Sequence, residues 1–118
     1  MSAAEHDLRA SYASHIPYLM ACMTTDLYLQ LPTSTQAQVA PVLAKGFSDS
    51  TRVAGSDPTW GVDICLKNTE NIMASLETIK QRITELQGHI QTKNHAELQL
   101  FFDKVSQFKQ SQTKKNNT

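Results

Sequence analysis

Six aliphatic residues recur at alternating steps of four and three, and this spacing constrains the fold more than any other feature of the sequence. They are Ile72, Leu76, Ile79, Ile83, Leu86 and Ile90. Such spacing places all six side chains along one side of an α-helix, as in coiled-coil heptads. We call these six residues the apolar stripe. It is compatible with the core of a helical bundle within one chain and with a contact between two chains.

The start of the helix that carries the apolar stripe is marked by Asp57-Pro58. An aspartate can accept hydrogen bonds from the free amides of a first turn, and proline fits the first helical position because its missing N–H would be unpaired there. The sequence therefore predicts one long helix from this point to about residue 91.

Helical patterns fill most of the remaining chain, although Pro17 interrupts the first of them. Either one helix kinks at Pro17, or Ser14 caps a fresh helix there. The predicted helices cover residues 3–30, 35–45, 48–54, 57–91 and 94–109. We predict an all-α helical bundle, residues 1–110, with one long helix. The polar residues 111–118 have nothing to bury and are predicted to be a disordered tail.

Composition and missing motifs exclude several functions. The 118 residues carry 11 basic and 11 acidic side chains, so no electrostatic feature suggests a nucleic acid partner. No apolar run approaches the ~20 residues of a membrane span, and the N-terminus does not resemble a signal peptide. No glycine-rich dinucleotide or phosphate motif occurs. Because Cys22 and Cys65 are far apart in sequence, we expect two reduced thiols in a cytoplasmic protein and no metal site.

The polar stretch from Ala44 to Trp60 carries Arg52 among small hydroxyl residues. A guanidinium in this setting suits a carboxylate or phosphate, which it can bind through two parallel hydrogen bonds. Asp49 lies three residues earlier and could orient the guanidinium. The alternative is an ordinary surface ion pair between Asp49 and Arg52.

His15 stands just before a proline, where a kink would expose backbone polar groups to a ligand. The alternative is a histidine without a functional role. Trp60 likewise has two interpretations, a packing anchor or the wall of a pocket lined by the polar stretch.

Taken together, these motifs resemble the C-terminal helical domain of the prephenate and arogenate dehydrogenases, over about residues 5–108. The residues that carry the resemblance are His6 and Asp7; Ser14, His15 and Pro17; Gly46, Phe47, Asp49, Thr51, Arg52, Val53, Ala54, Ser56, Asp57 and Pro58; and Leu66 and Asn68. Where that family has a second histidine after the proline, this sequence has Tyr18, whose phenol could still donate one hydrogen bond.

The resemblance implies a domain of a tyrosine-biosynthesis enzyme that catalyses NAD(P)-dependent oxidative decarboxylation. It implies substrate contacts from Arg52, His15, Ser14, Asp49 and Tyr18, with Asp57 as a structural helix cap. It also implies a homodimer whose two-fold contact is formed by the long helix, with prephenate or arogenate as the ligand. Catalytic residues and NAD or NADP would belong to an N-terminal Rossmann domain, present in cis or in trans and absent from this sequence, so the chain alone is expected to be inactive.

Several alternatives stay open at this point. The chain could be a fragment or a stand-alone protein, and it could be a helical interaction module or a tyrosine-sensing module without catalysis. The sequence does not distinguish prephenate from arogenate or NAD from NADP, and it does not reveal feedback control.

Overall fold

The computed structural model describes residues 1–116, and every regular element within them is helical, which confirms the predicted all-α class. The α-helices of these residues are α1 (Ala3–Ala10), α2 (Ile16–Leu29), α3 (Thr33–Val39), α4 (Lys45–Thr51), α5 (Pro58–Lys67), α6 (Thr69–Gln91) and α7 (His95–Asn116). A π-helical turn, Ser11–His15, joins α1 to α2, and short 3₁₀ turns cover Ala40–Val42 and Arg52–Gly55. The chain forms two compact units, one from Met1 to Leu76 and one from Glu77 onward.

The first helical pattern of the sequence is continuous but irregular at the position where the proline was expected to disturb it. Pro17 has no N–H to donate to the preceding turn, and the helix widens just before it. The Ile16 N–H donates to the Ser11 carbonyl, five residues back, which defines the π-helical turn. Of the two alternatives left open by the sequence, the structure therefore shows a locally widened helix and no fresh N-cap at Ser14.

The prediction of one uninterrupted helix over residues 57–91 was wrong, because regular helix breaks at Asn68. The backbone there has φ −120° and ψ 40°, and it separates α5 from α6. Asparagine side chains hydrogen-bond readily to backbone groups and so compete with helix. Here the Asn68 side chain bonds to α1, which a reading of local sequence could not anticipate.

The core of the first unit is small and lies between α2, α5 and the start of α6. Its buried members are Tyr18, Ile64 and Ile72. Partly buried residues pack around them, namely Ile16, Leu19, Cys22, Cys65 and Leu76. The first two residues of the apolar stripe thus serve the intramolecular core.

In the second unit, two residues of the apolar stripe are open to solvent, and Ile79 and Leu86 are half-buried. Ile83 is 50% exposed and Ile90 is 57% exposed. Asn94 begins α7 as predicted, because its side-chain oxygen accepts a hydrogen bond from the Glu97 N–H at 3.2 Å. A groove of about 320 Å³ in this unit is lined by Arg82, Leu86, Phe101 and their neighbours.

The end of the chain differs from the predicted disordered tail. α7 continues past residue 109 to Asn116. Lysine and glutamine favour helix and no glycine or proline interrupts the stretch, so a helix can continue without burying anything. The predicted tail also includes residues 117–118, which lie outside the described residues.

Candidate functional site

The break at Asn68 lies beside the π-helical turn, and the two irregularities form one polar cluster. Asn68 is 6% exposed. Its Nδ2 group donates to the Asp7 carbonyl at 2.8 Å and lies 3.1 Å from His15 Nδ1. Its Oδ1 accepts a hydrogen bond from Asn71 Nδ2 at 2.9 Å. Each polar group of this buried side chain is therefore satisfied, as burial requires.

His15 is the last residue of the π-helical turn and is half-buried. Its ring meets the Trp60 ring at a steep angle of 72°, with 6.0 Å between ring centroids. Its Nε2 atom has no hydrogen-bond partner among the described residues. No side-chain nitrogen or oxygen atom of these residues is both fully buried and without a partner, so Nε2 is not fully buried. The cluster thus fixes the Nδ1 side of the imidazole, and the Nε2 side is available to a ligand.

Tyr18 lies in the core and packs against Trp60, with 4.7 Å between ring centroids. Its hydroxyl reaches the backbone of Gly61, where an added Cβ would stand 2.8 Å from Tyr18 Oη. A side-chain hydrogen bond with Cys22 and removal from water raise the pKa of Tyr18 above its ordinary value of 10.0. The tyrosine that stands in place of the family's second histidine therefore packs against Trp60, and its hydroxyl faces Cys22 and Gly61.

Arg52 begins the 3₁₀ turn that packs against α2. The residue is exposed and forms no hydrogen bond or ion pair with another described residue. The predicted contact with Asp49 is not formed, because the α-helical geometry of α4 ends at Thr51, between the two residues. The guanidinium is therefore free for a ligand, although no described side chain orients it.

The other two predicted residues differ in role. Ser14 is exposed in the π-helical turn, and its hydroxyl has no partner in the described part of the chain. Asp57 is the N-cap of α5, where its carboxylate accepts a hydrogen bond from the Thr59 N–H at 2.9 Å. The structure thus brings His15 together with Trp60 and Asn68, whereas no described contact joins Arg52 to His15.

Sequence reasoning noted Asn68 as part of a motif but gave it no role. The available signal was a polar asparagine within a stretch otherwise assigned to one long helix. Its partners Asp7 and His15 are 61 and 53 residues away in sequence, so the cluster could not be deduced from spacing.

Within residues 1–116, no helix is both long and apolar enough to cross a bilayer. The same residues contain no group of three or more histidine, cysteine or acidic side chains suited to a metal ion.

The fold and the cluster define an all-α domain that displays a restrained imidazole and a free guanidinium on the elements packed around α2. The family described as "Prephenate dehydrogenase, dimerization domain" matches residues 2–104, and the chain belongs to that family.

Named relatives agree with this family. The chain is 25% identical over 115 residues to a prephenate dehydrogenase of Lactococcus lactis subsp. cremoris, covering 94% of this chain and 31% of the relative. It is 30% identical over 77 residues to a cyclohexadienyl dehydrogenase of Zymomonas mobilis, covering 65% of this chain and 26% of the relative. The chain therefore spans about a third or less of the length of these relatives.

The fold is similar to that in a crystal structure of Synechocystis arogenate dehydrogenase. The TM-score is 0.81 at 20% sequence identity, over 90% of this chain and 38% of that one. At this identity the similarity shows the fold alone.

Proposed function

We propose that this chain is the helical, substrate-contacting domain of a cytoplasmic dehydrogenase that acts on prephenate or arogenate in tyrosine biosynthesis. The observation that carries the proposal is the family match over residues 2–104. The names of the relatives support the same substrate class.

The redox step is assigned to a separate domain. The described residues contain no strand and no glycine-rich turn of the kind that holds a dinucleotide, so they do not fit NAD or NADP. We therefore assign the cofactor to a Rossmann domain in cis or in trans. The contribution of this chain is to bind and orient the substrate, and to form a homodimer.

The exposed and unpaired guanidinium of Arg52 is proposed to bind a substrate carboxylate. A bidentate contact of this type is charge-assisted and sets the orientation of the acid. The free Ser14 hydroxyl and the open Nε2 of His15 would bind other substrate oxygens. Asp49 would act on Arg52 through its charge and without direct contact, and Tyr18 would shape the site through Trp60.

The homodimer proposal draws on apolar side chains that are exposed in the second unit. Ile83 and Ile90 are exposed on α6, and Phe108 is 65% exposed on α7. Apolar side chains exposed one heptad apart on a helix, such as Ile83 and Ile90, are typical of contacts between chains. The same observation would also suit a helical interaction module that binds another protein, so the oligomeric state is a direct test.

The substrate role can be tested by titrating prephenate and arogenate into the labelled 118-residue chain and following amide shifts by NMR. Arg52→Ala should weaken binding at least ~30-fold, because loss of a charge-assisted contact costs about 2 kcal/mol. Arg52→Lys should recover only part of the lost affinity, since lysine keeps the positive charge but lacks the planar guanidinium that forms two parallel hydrogen bonds.

Arg9→Ala is the matched control. It removes the same charge from an exposed position in the same unit, where the guanidinium contacts only the Met1 sulfur. An equal loss in Arg9→Ala and Arg52→Ala would show a general charge effect. Absence of any shift around His15 and Arg52 at millimolar ligand would contradict the proposed site.

A further inference from the structure

The orientation of the Asn68 carboxamide is determined by its surroundings. A backbone carbonyl can only accept, so the group 2.8 Å from the Asp7 oxygen must be the NH₂ of Asn68. The Oδ1 atom then faces Asn71, whose Nδ2 donates to it. The second proton of the NH₂ group is left for His15 Nδ1, at 3.1 Å.

This arrangement selects one form of the neutral His15 ring. Because the Asn68 NH₂ group has only donors, His15 Nδ1 must accept from it. A neutral imidazole that accepts at Nδ1 carries its proton on Nε2. Nε2 is the other ring nitrogen, which is not fully buried and has no partner in the described part of the chain.

We propose that Asn68 is a positioning residue that holds His15 in the Nε2–H form, so that the ring presents a hydrogen-bond donor to the ligand. The group facing it must then be an acceptor, such as a carboxylate, carbonyl or hydroxyl oxygen. The Trp60 ring limits rotation of the imidazole from one side. The identity of the ligand rests on the proposed function, whereas the state of the ring does not.

A purely structural role for Asn68 makes a different prediction. The bond from Asn68 to the Asp7 carbonyl joins the end of α5 to α1, and its loss would destabilise the unit whatever His15 does. A measurement of stability alone therefore does not separate the two roles. The two roles are separated by measuring which ring nitrogen of His15 carries the proton.

The test is to record the ¹⁵N shifts of the histidine rings in the ligand-free 118-residue chain, at a pH where all rings are neutral. In the wild type, His15 should show a single Nε2–H pattern. The exposed ring of His95 should show the averaged pattern of two exchanging forms and serve as the internal reference. His6 is not a reference, because its Nδ1 lies 3.6 Å from the Asp7 carboxylate.

Variants then identify the residue responsible. Asn68→Asp replaces the donor with a carboxylate and should move the His15 proton to Nδ1, whereas Asn68→Ala should give the averaged pattern. Asn71→Ala removes only the donor to Oδ1 and should leave the Nε2–H pattern unchanged. Trp60 fluorescence checks that each variant is folded, and the wild-type pattern stands as a test even if Asn68→Asp fails to fold.

The proposal is overturned if wild-type His15 shows the averaged or the Nδ1–H pattern, or if a folded Asn68→Asp keeps the wild-type pattern. A prephenate titration separates this from failure of the proposed function. Asn68→Ala should weaken binding about tenfold, the size expected for one misdirected hydrogen bond to a charged group. A single Nε2–H pattern with binding of neither prephenate nor arogenate would refute the proposed function and leave the positioning role intact. Binding of either ligand to a chain whose His15 shows the averaged pattern would refute the positioning role and leave the proposed function intact.

Discussion

Replacement of Gly61 by alanine tests the packing of Tyr18 against α5. Alanine in a helix interior is favoured over glycine by about 1 kcal/mol, which is the gain expected at an open position. At Gly61 the new Cβ would stand 2.8 Å from Tyr18 Oη and 3.2 Å from Cε2 of the same ring. Overpacking of this kind costs about 1–3 kcal/mol. We therefore expect Gly61→Ala to lower the free energy of unfolding by up to about 2 kcal/mol.

The assay is chemical denaturation followed by the fluorescence of Trp60, the only tryptophan, which packs on Tyr18. Gly46→Ala is the control within the same unit and Gly88→Ala the control for a long helix, because an added Cβ meets nothing within 4 Å at either position. Gly88→Ala, followed by circular dichroism, should gain about 1 kcal/mol. Tyr18→Phe removes the closest atom and should restore about 1 kcal/mol in the Gly61→Ala background. If Gly61→Ala proved as stabilising as Gly88→Ala, the close approach of Tyr18 would be refuted.

Two further predictions concern the core and the oligomeric state. Because the folded pKa of Tyr18 lies above the unfolded value, its contribution to stability should be complete below about pH 10 and be lost as pH rises further. In an absorbance titration, the part of the signal that Tyr18→Phe removes should appear above about pH 10, and its appearance at lower pH would contradict the prediction. In light scattering, the chain should have twice the mass of one 13.1 kDa chain. The double variant Ile83→Glu, Ile90→Glu places charges on the exposed apolar side of α6, so it should be monomeric, with unchanged Trp60 emission. A monomeric wild type would favour the interaction module.

Features of the fold that depend on neighbouring residues could be predicted from the sequence. Asp57 begins α5 because an aspartate before a proline satisfies a first-turn amide without help from the rest of the chain. Asn94 begins α7 for the same reason. The disturbance at Pro17 was also expected, although the sequence could not decide between a kink and a new start.

Features that depend on distant partners could not be predicted. Asn68 ends α5 in association with bonds to residues more than 50 positions away. The apolar stripe gave no sign of this break, because Ile72 and the residues after it follow one helical period. For the site, the sequence pointed to His15 and Arg52 but not to the buried amide that holds the imidazole.

Two of the irregularities in the helices of the first unit supply the partners of one contact. The π-helical turn carries His15 and the break after α5 carries Asn68, and their side chains meet at 3.1 Å. Each irregularity forgoes regular helical geometry, so a chain selected only for bundle stability would have little reason to keep both. Departures from local rules are expected where a protein gives up stability for a functional arrangement. This convergence therefore supports a ligand role for His15 by an argument that does not depend on the family relationship.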